Sequence, residues 1–125
     1  PLATAVGFQM DVPLVQPRKV IKDHGTGRSI EGVFGEGDKV IVVDDLITKG
    51  DSKIESVKQF SDNGLVVDRF AVLIDREQGG LKTLADAGYG VEAVMTIHEL
   101  IDRVSSKGLI SPEQTKTVLD FISAN

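Results

Sequence analysis

The sequence contains no cysteine, no tryptophan and only one tyrosine among its 125 residues. The absence of cysteine excludes disulfides and thiolate metal sites, and it fits a reducing compartment. So few aromatic side chains leave little from which to build a base-stacking platform for single-stranded nucleic acid. No apolar run reaches the roughly 18 residues of a membrane span, and no signal peptide is visible. We therefore expect a cytoplasmic protein that binds neither membranes nor nucleic acid.

The charge of the chain is unevenly distributed. The formal net charge is −5, but the stretch from residue 18 to residue 28 carries +3, which leaves −8 for the rest of the chain. Nucleic-acid binding usually requires a broad basic face, whereas one basic segment on an acidic body suits a small anionic ligand. The length is typical of one compact domain, and we expect residues 1–125 to form it.

Strand-like and helix-like segments alternate along the chain. Apolar, β-branched segments predict strands at 12–16, 39–44, 65–75 and 90–95, with an extended segment at 30–34. Helical spacing predicts helices at 1–10, 52–63, 81–87 and 96–107, and another from residue 112. This alternation predicts an α/β fold, with a mostly parallel twisted sheet flanked by helices and right-handed crossovers.

Three of the predicted helices have recognisable starts. Ser52 with Glu55, and Thr96 with Glu99, match the capping box, in which a hydroxyl and a carboxylate three residues on cap the helix reciprocally. Ser111 precedes a proline, which favours the first position of a helix. We expect Ser52, Thr96 and Ser111 to be the N-caps of these helices.

Residues 40–52 are the most informative segment. The apolar run from Val40 to Val43 predicts a buried central strand of a parallel sheet, and Asp44 and Asp45 follow it directly. Open α/β sheets bind ligands at the carboxyl ends of their strands. The Thr/Gly/Ser turn that follows can aim backbone N–H groups and a helix N-terminus at a phosphate. Two carboxylates beside a phosphate cradle suit a sugar phosphate; a strand with a solvated acidic turn is the alternative.

Asp51 is an awkward residue in such a cradle, because its carboxylate would repel a phosphate. We expect it to cap the helix with its side chain turned away from the ligand. If it faces the ligand instead, phosphate affinity is in doubt.

Two further segments carry concentrated charge. Residues 18–25 read Arg-Lys-Val-Ile-Lys-Asp-His-Gly, and a solvated loop is the simplest interpretation of that run alone. Asp75, Arg76 and Glu77 follow the second predicted strand and so face the same rim as the acid pair. The alternative for these three is a salt-bridged turn. His98 lies in a predicted amphipathic helix without a ligand-spaced partner, and we assign it to structure.

Together these three segments resemble the type I phosphoribosyltransferases. Residues 40–52 are similar to the family's signature for phosphoribosyl diphosphate (PRPP). Residues 18–25 resemble the catalytic loop of orotate phosphoribosyltransferases, and residues 73–80 resemble the segment that holds orotate. The resemblance implies transfer of the phosphoribosyl group from PRPP to orotate, giving orotidine 5′-monophosphate and diphosphate in pyrimidine (UMP) biosynthesis.

The resemblance also implies roles for particular residues. Arg18, Lys19, Lys22 and His24 would contact the diphosphate, and Lys22, His24 and Asp45 would be catalytic. Thr48 and Arg76 would hold orotate. The complete PRPP-binding set would be Arg18, Lys19, Lys22, His24, Asp44, Asp45, Leu46, Ile47, Thr48, Lys49, Gly50, Asp51 and Ser52.

Further expectations concern the metal, the assembly and the extent of the chain. Mg²⁺ would arrive bound to PRPP, with no metal site supplied by the chain itself. The basic loop would be shared between the subunits of a homodimer. The family's N-terminal hood lies upstream of the part that the chain matches, so we expect the isolated chain to bind PRPP weakly and to lack activity. Whether a decarboxylase domain is fused to it is left open.

Other functions remain possible on the same residues. One is a non-catalytic regulator that binds PRPP or a nucleotide, and another is a phosphoribosyltransferase for a different base. A receiver-type signalling domain also has an acid pair after a strand, although the loops here lack the rest of that pattern.

Overall fold

Five helices and five strands form the part of the chain that the structure, a computed structural model, describes: residues 1–18 and 29–124. In chain order they are α1 (Leu2–Met10), β1 (Gln16–Pro17), β2 (Ile30–Glu31), β3 (Lys39–Ile47), α2 (Asp51–Ser61), β4 (Val66–Asp75), α3 (Gly80–Asp86), β5 (Gly90–Thr96), α4 (Ile97–Ser106) and α5 (Pro112–Ser123). The predicted α/β alternation is confirmed.

Strands β3, β4 and β5 form a parallel sheet in that order, and β1 pairs with β2 in a short antiparallel ribbon. The middle strand of the sheet is β4, where Phe70 is fully buried and Val72 is 2% exposed. The prediction that residues 40–43 form the central strand is wrong: within the described residues β3 pairs only with β4, and its Ile41 is 56% exposed. An apolar composition marks a strand but does not say how many neighbours the strand has.

Strand β3 continues three residues beyond its predicted end. Asp44 lies opposite Val72, and the pairing runs on until Ile47 lies opposite Asp75. Because β4 is ten residues long, it offers ladder partners to the whole of this segment. The acid pair therefore lies within the last half of the strand rather than after it.

The core of the molecule lies where helices α2 and α3 meet the sheet. Phe60 of α2, Leu84 of α3 and Phe70 of β4 belong to one buried cluster. The rings of Phe70 and Tyr89 meet edge to face, with centroids 5.6 Å apart and planes at 82°. Such pairs add about 0.5–1.5 kcal/mol beyond area burial. This packing fixes the helices that follow β3 and β4, and with them the loops at the carboxyl edge of the sheet.

The N-terminal strands are shorter than the sequence predicts. Only Gln16 of the predicted strand 12–16 enters β1, and only two residues of segment 30–34 form β2. Proline has no backbone N–H for a ladder, and Pro13 lies inside the predicted strand while Pro17 is the last residue of β1. In the described ranges no helix combines the length and the apolar character needed to cross a membrane.

Candidate active site at the carboxyl edge of the sheet

Strands β3 and β4 end side by side. Ile47 lies opposite Asp75 in the ladder, and the N–H of Arg76 donates to the carbonyl of Ile47 at 3.0 Å. The loops that leave the two strands therefore start from one hydrogen-bonded point. This brings Thr48 and Arg76, the two residues assigned to orotate, to the same edge of the sheet.

Two glycines allow these loops to touch. A Cβ atom on Gly80, the first residue of α3, would lie 2.3 Å from the carbonyl oxygen of Thr48 and 2.5 Å from Cγ1 of Ile47. Gly50 is buried at φ +89°, and a Cβ there would lie 3.0 Å from the carbonyl oxygen of Gly80. Any side chain at Gly80 would separate the loops, so their contact depends on glycine.

The acid pair is held by hydrogen bonds that lie close in sequence. Oδ1 of Asp44 accepts the N–H of Asp45 at 2.8 Å, and Oδ1 of Asp45 accepts the N–H of Leu46 at 2.8 Å. The second oxygen of Asp44 accepts from Nζ of Lys53 at 2.5 Å. Asp44 is half-buried and Asp45 is exposed. Asp45 therefore presents the more accessible carboxylate.

The surroundings of Asp44 favour its ionised form. Partial burial by itself raises the pKa of this carboxyl, but the hydrogen bonds from Lys53 and from the backbone of Asp45 outweigh it. The pKa of Asp44 is consequently below its usual range, and the group is a carboxylate at neutral pH.

Lys53 is a site residue that the sequence analysis missed. Its side chain is only 13% exposed. A usable signal was present, since acidic rather than basic side chains favour the first turn of a helix, where the macrodipole is positive. A lysine as the third residue of α2 runs against that preference and calls for a partner.

Helix α2 begins without a side-chain cap. Gly50 is its N-cap in a left-handed conformation, and the N–H groups of Lys53 and Ile54 return to the carbonyl of Gly50. Asp51 and Ser52 are exposed in the first turn, where a helix supplies no acceptor for the backbone N–H groups. These donors and the positive helix end can bind an anion.

Two expectations about this helix start are wrong. Ser52 is not the N-cap, because the helix starts one residue before it, and Asp51 makes no side-chain capping bond. The close approach of Gly50 to α3 explains the difference, since it sets the backbone at residue 50 whatever the following side chains prefer.

The end of β4 is held by one local contact and by contacts with a distant part of the chain. Buried Asp75 accepts the N–H of Glu77 at 2.9 Å, and Glu77 takes up a left-handed conformation at φ +58°. The Glu77 carboxylate accepts the backbone N–H of His98 at 3.3 Å and contacts Nδ1 of the same residue. The hydrogen bond from the His98 ring is the main cause that lowers the pKa of Glu77. His98 thus braces the loop that carries Arg76.

Arg76 projects towards the C-terminal helix. Its guanidinium carbon lies 5.9 Å from the ring centroid of Phe121 in α5, within cation–π range. The contact joins the loop after β4 to helix α5.

The described end of the basic segment is anchored to α2. Nε2 of Gln59 donates to the carbonyls of Arg18 at 3.1 Å and Ser29 at 2.8 Å. The Arg18 guanidinium pairs with Glu31, with Nε at 2.6 Å, and within the described ranges it forms no ion pair with the acid pair. The three remaining diphosphate-binding candidates lie outside the described residues: Lys19, Lys22 and His24.

In the part of the chain that the structure describes, no group of three or more His, Asp or Glu side chains comes together as a metal site.

Comparisons with known proteins point to one family. No family model matches the chain. It is 39% identical over 102 residues to orotate phosphoribosyltransferase of Halobacterium salinarum, covering 82% of this chain and 58% of the relative. UMP synthase of Leishmania donovani superposes with a TM-score of 0.87 at 33% identity, covering 100% of this chain and 27% of that one. Orotate phosphoribosyltransferase of Mycobacterium tuberculosis in complex with PRPP gives 0.61 at 28% identity, with 71% and 50% covered.

Proposed function

Because the chain belongs to the orotate phosphoribosyltransferase family, we propose that it transfers the phosphoribosyl group of PRPP to orotate. The products are orotidine 5′-monophosphate and diphosphate, in the synthesis of UMP. The chain spans 58% of the length of its Halobacterium relative. One observation carries the proposal: the Arg76–Ile47 hydrogen bond joins the acid-pair strand to the loop that presents a cation.

The sugar phosphate binds along the end of β3. The carboxylates of Asp44 and Asp45 accept the ribose hydroxyls, and each oxygen that already takes one hydrogen bond keeps a second lone pair for a ligand. The 5′-phosphate lies in the Leu46–Ser52 segment, against the uncapped N-terminus of α2. The uncapped first turn of α2 supports this placement, and the PRPP complex of the Mycobacterium relative supports PRPP as the ligand.

The chemical step separates charge between the sugar and the leaving group. Negative charge builds on the diphosphate while the ribose becomes oxocarbenium-like, and Asp45 steadies the positive carbon electrostatically. The leaving diphosphate is neutralised by the basic segment, with Lys22 and His24 as catalytic groups and Arg18 and Lys19 as further contacts. Mg²⁺ that arrives with PRPP would supply additional positive charge to the leaving group.

Orotate binds between Thr48 and Arg76. The planar fork of an arginine pairs with carboxylate or carbonyl oxygens in a bidentate manner, which suits an acidic pyrimidine. Thr48 offers a hydroxyl on the neighbouring loop. The shared hydrogen bond at Ile47 supports this assignment, because it keeps the two loops side by side.

The setting of the enzyme is part of the same proposal. Residues 1–125 act as one domain, two copies form a homodimer that shares the basic segment, and the protein works in the cytoplasm. The lack of cysteine is compatible with that compartment.

The decisive experiment measures PRPP consumption with orotate, uracil, hypoxanthine and adenine as acceptors. It is run on this chain and on the complete product of its gene. Turnover with orotate alone is expected from the complete product. PRPP binding without turnover for any base would favour a regulator instead, and turnover with another base would change the substrate.

Arg76→Ala tests the assigned orotate contact. We expect it to weaken orotate binding by about tenfold or more, the effect of losing a hydrogen bond from a charged group, while PRPP affinity changes less than about threefold. Arg69→Ala is the matched control, because Arg69 lies within β4, upstream of Arg76, and pairs with Asp68 and Glu92 away from the strand's carboxyl end. Equal weakening of both substrates in Arg76→Ala would contradict its role.

A further inference from the structure

Lys53 differs from the other paired lysines of the described chain. Its side chain is 13% exposed, whereas the side chains of four other lysines in ion pairs are 75–80% exposed: Lys39, Lys58, Lys82 and Lys116. Removing an ammonium group from water is costly unless a carboxylate compensates it. The burial of Lys53 therefore goes with its bond to Asp44 at 2.5 Å.

The direction of Lys53 follows from its place in the helix. Side chains of an α-helix point back towards its N-terminus, and Lys53 is the third residue of α2. Its ammonium group therefore reaches back to Asp44 of β3, which lies nine residues earlier in the chain.

This contact fixes the Asp44 carboxylate at both oxygens. One oxygen takes the N–H of Asp45 at 2.8 Å and the other takes Lys53. An ionised carboxylate offers about four lone-pair sites, so roughly two remain for donors of a ligand. A carboxylate held in one orientation, and still able to accept, is suited to a pair of neighbouring sugar hydroxyls.

Lys53 also changes the charge that a phosphate meets. Residues 44–53 contain three carboxylates, at Asp44, Asp45 and Asp51, and two lysines, at Lys49 and Lys53, for a net charge of −1. Without Lys53 the segment would carry −2. The half-buried lysine is also less screened by solvent than the exposed Lys49.

We propose that Lys53 is a positioning residue of the sugar-phosphate site, which orients Asp44 for the ribose hydroxyls and offsets its charge beside the phosphate loop. The inference rests on the proposed function, since it deepens the same site. The lowered pKa of Asp44 agrees with it.

The test compares Lys53→Met with Lys58→Met. Lys58 belongs to the same helix and pairs with Asp62 at 2.6 Å, but it is 78% exposed and lies away from the site. Binding of PRPP with Mg²⁺, of ribose 5-phosphate and of inorganic phosphate is measured by calorimetry. We expect Lys53→Met to weaken the two ribose compounds by about tenfold, as for a charge-assisted hydrogen bond, and inorganic phosphate by less. Lys58→Met should leave all three unchanged.

A carboxyl titration by NMR shows whether the Lys53–Asp44 contact is present in solution, and the different losses for the ribose compounds and for inorganic phosphate are the readout that a purely structural role would not move. The pKa of Asp44 should rise in Lys53→Met and stay in place in Lys58→Met. Lys53→Arg keeps the cation and should keep both the lowered pKa and the binding of the ribose compounds. It serves as the decisive variant if Lys53→Met does not fold.

The outcomes separate the inference from the function on which it rests. If the wild-type chain binds PRPP and Lys53→Met binds it equally well, the inference is overturned and the proposed function stands. If the wild-type chain and the complete gene product bind neither PRPP nor ribose 5-phosphate, the proposed function fails, and the inference fails with it. An equal loss for inorganic phosphate and ribose 5-phosphate would also overturn the positioning role, because the effect would then be one of charge alone.

Discussion

Helices α2 and α4 start with the same sequence pattern but with different structures. Ser52 and Glu55 lie at the start of α2, and Thr96 and Glu99 lie at the start of α4. At α4 both bonds of the capping box form, so the first turn satisfies its own donors. At α2 neither residue caps the helix, and Gly50 takes the N-cap position without a side-chain bond.

The difference continues outside the two helices. At α4 the carboxylate of Glu77 also accepts the N–H of His98, so a negative group of the protein occupies the positive helix end. At α2 the corresponding place is the one that we propose for the 5′-phosphate of PRPP. One helix start is therefore completed by the fold, and the other is the one that our proposal assigns to a ligand. Departures from local preference of this kind concentrate at functional sites.

One methyl group at residue 80 can break the contact between the loop after β3 and the start of α3. Gly80→Ala places a Cβ 2.3 Å from the Thr48 carbonyl oxygen, so we expect a loss of about 3 kcal/mol in the free energy of unfolding, typical of severe overpacking. Gly79→Ala is the control: its φ is +88° but its Cβ would meet nothing within 4 Å, so strain alone should cost about 1 kcal/mol. Urea unfolding measures both. Equal losses would mean that the close approach at Gly80 is not what holds the loops together.

The capping difference itself can be measured by removing each hydroxyl. Thr96→Ala should lower the free energy of unfolding by about 1 kcal/mol, because the N–H of Glu99 loses its acceptor. Ser52→Ala should change it by less than about 0.5 kcal/mol, as for an exposed residue without a capping bond. Thermal unfolding of both variants checks this, and a comparable loss in Ser52→Ala would place a cap at α2 after all.

The Glu77–His98 contact predicts a dependence on pH. Because the pKa of Glu77 is lowered in the folded chain, its contribution to stability is present above the usual glutamate pKa of about 4.3 and is lost as the pH falls through the lowered value. Both side chains are more than a third exposed, so solvent screening keeps the contribution below about 1 kcal/mol.

His98→Asn should accordingly be less stable than the wild type near pH 6, and the difference should shrink towards pH 3. Urea unfolding across this range measures the difference in stability. In Glu77→Gln, which has no carboxylate to titrate at this position, the stability should depend less on pH than in the wild type. If the difference in stability between His98→Asn and the wild type stays constant down to pH 3, the Glu77–His98 contact is not its cause.

Asp51→Ser should have the smallest effect on stability and a visible effect on binding. Removing an acid from the first turn of α2 should cost about 0.5 kcal/mol through the helix dipole, while PRPP binds a few-fold more tightly without the repulsion. Glu55→Gln is the control, since it removes an exposed charge one turn further from the helix end. Unchanged PRPP affinity in Asp51→Ser would place the phosphate elsewhere.

The sequence predicted those features whose causes lie close together in the chain. The parallel strands β4 and β5 follow from apolar segments, the Thr96 cap from a glutamate three positions on, and the Ser111 cap from the proline that follows it.

What the sequence did not predict depends on contacts between distant residues. The approach of Gly80 to Thr48 displaces the start of α2, and the Glu77–His98 contact joins residues 21 positions apart. The position of β3 at an edge of the sheet depends on which strands pair, and composition does not record that. Lys53 is intermediate, because its partner lies nine residues away and only its unfavourable place in the helix indicated a function.

The close approach of Gly80 to the Thr48 carbonyl has a consequence for protein engineering. The loop after β3 and the first turn of α3 are a single structural module, since each supplies the surface on which the other lies. A transplant of the acid-pair loop into another parallel sheet would need the Gly79–Gly80 turn of the neighbouring strand as well. If Arg76 holds the base as proposed, redesign of base specificity should for the same reason leave residue 80 as glycine, because a side chain there would also displace the loop after β3.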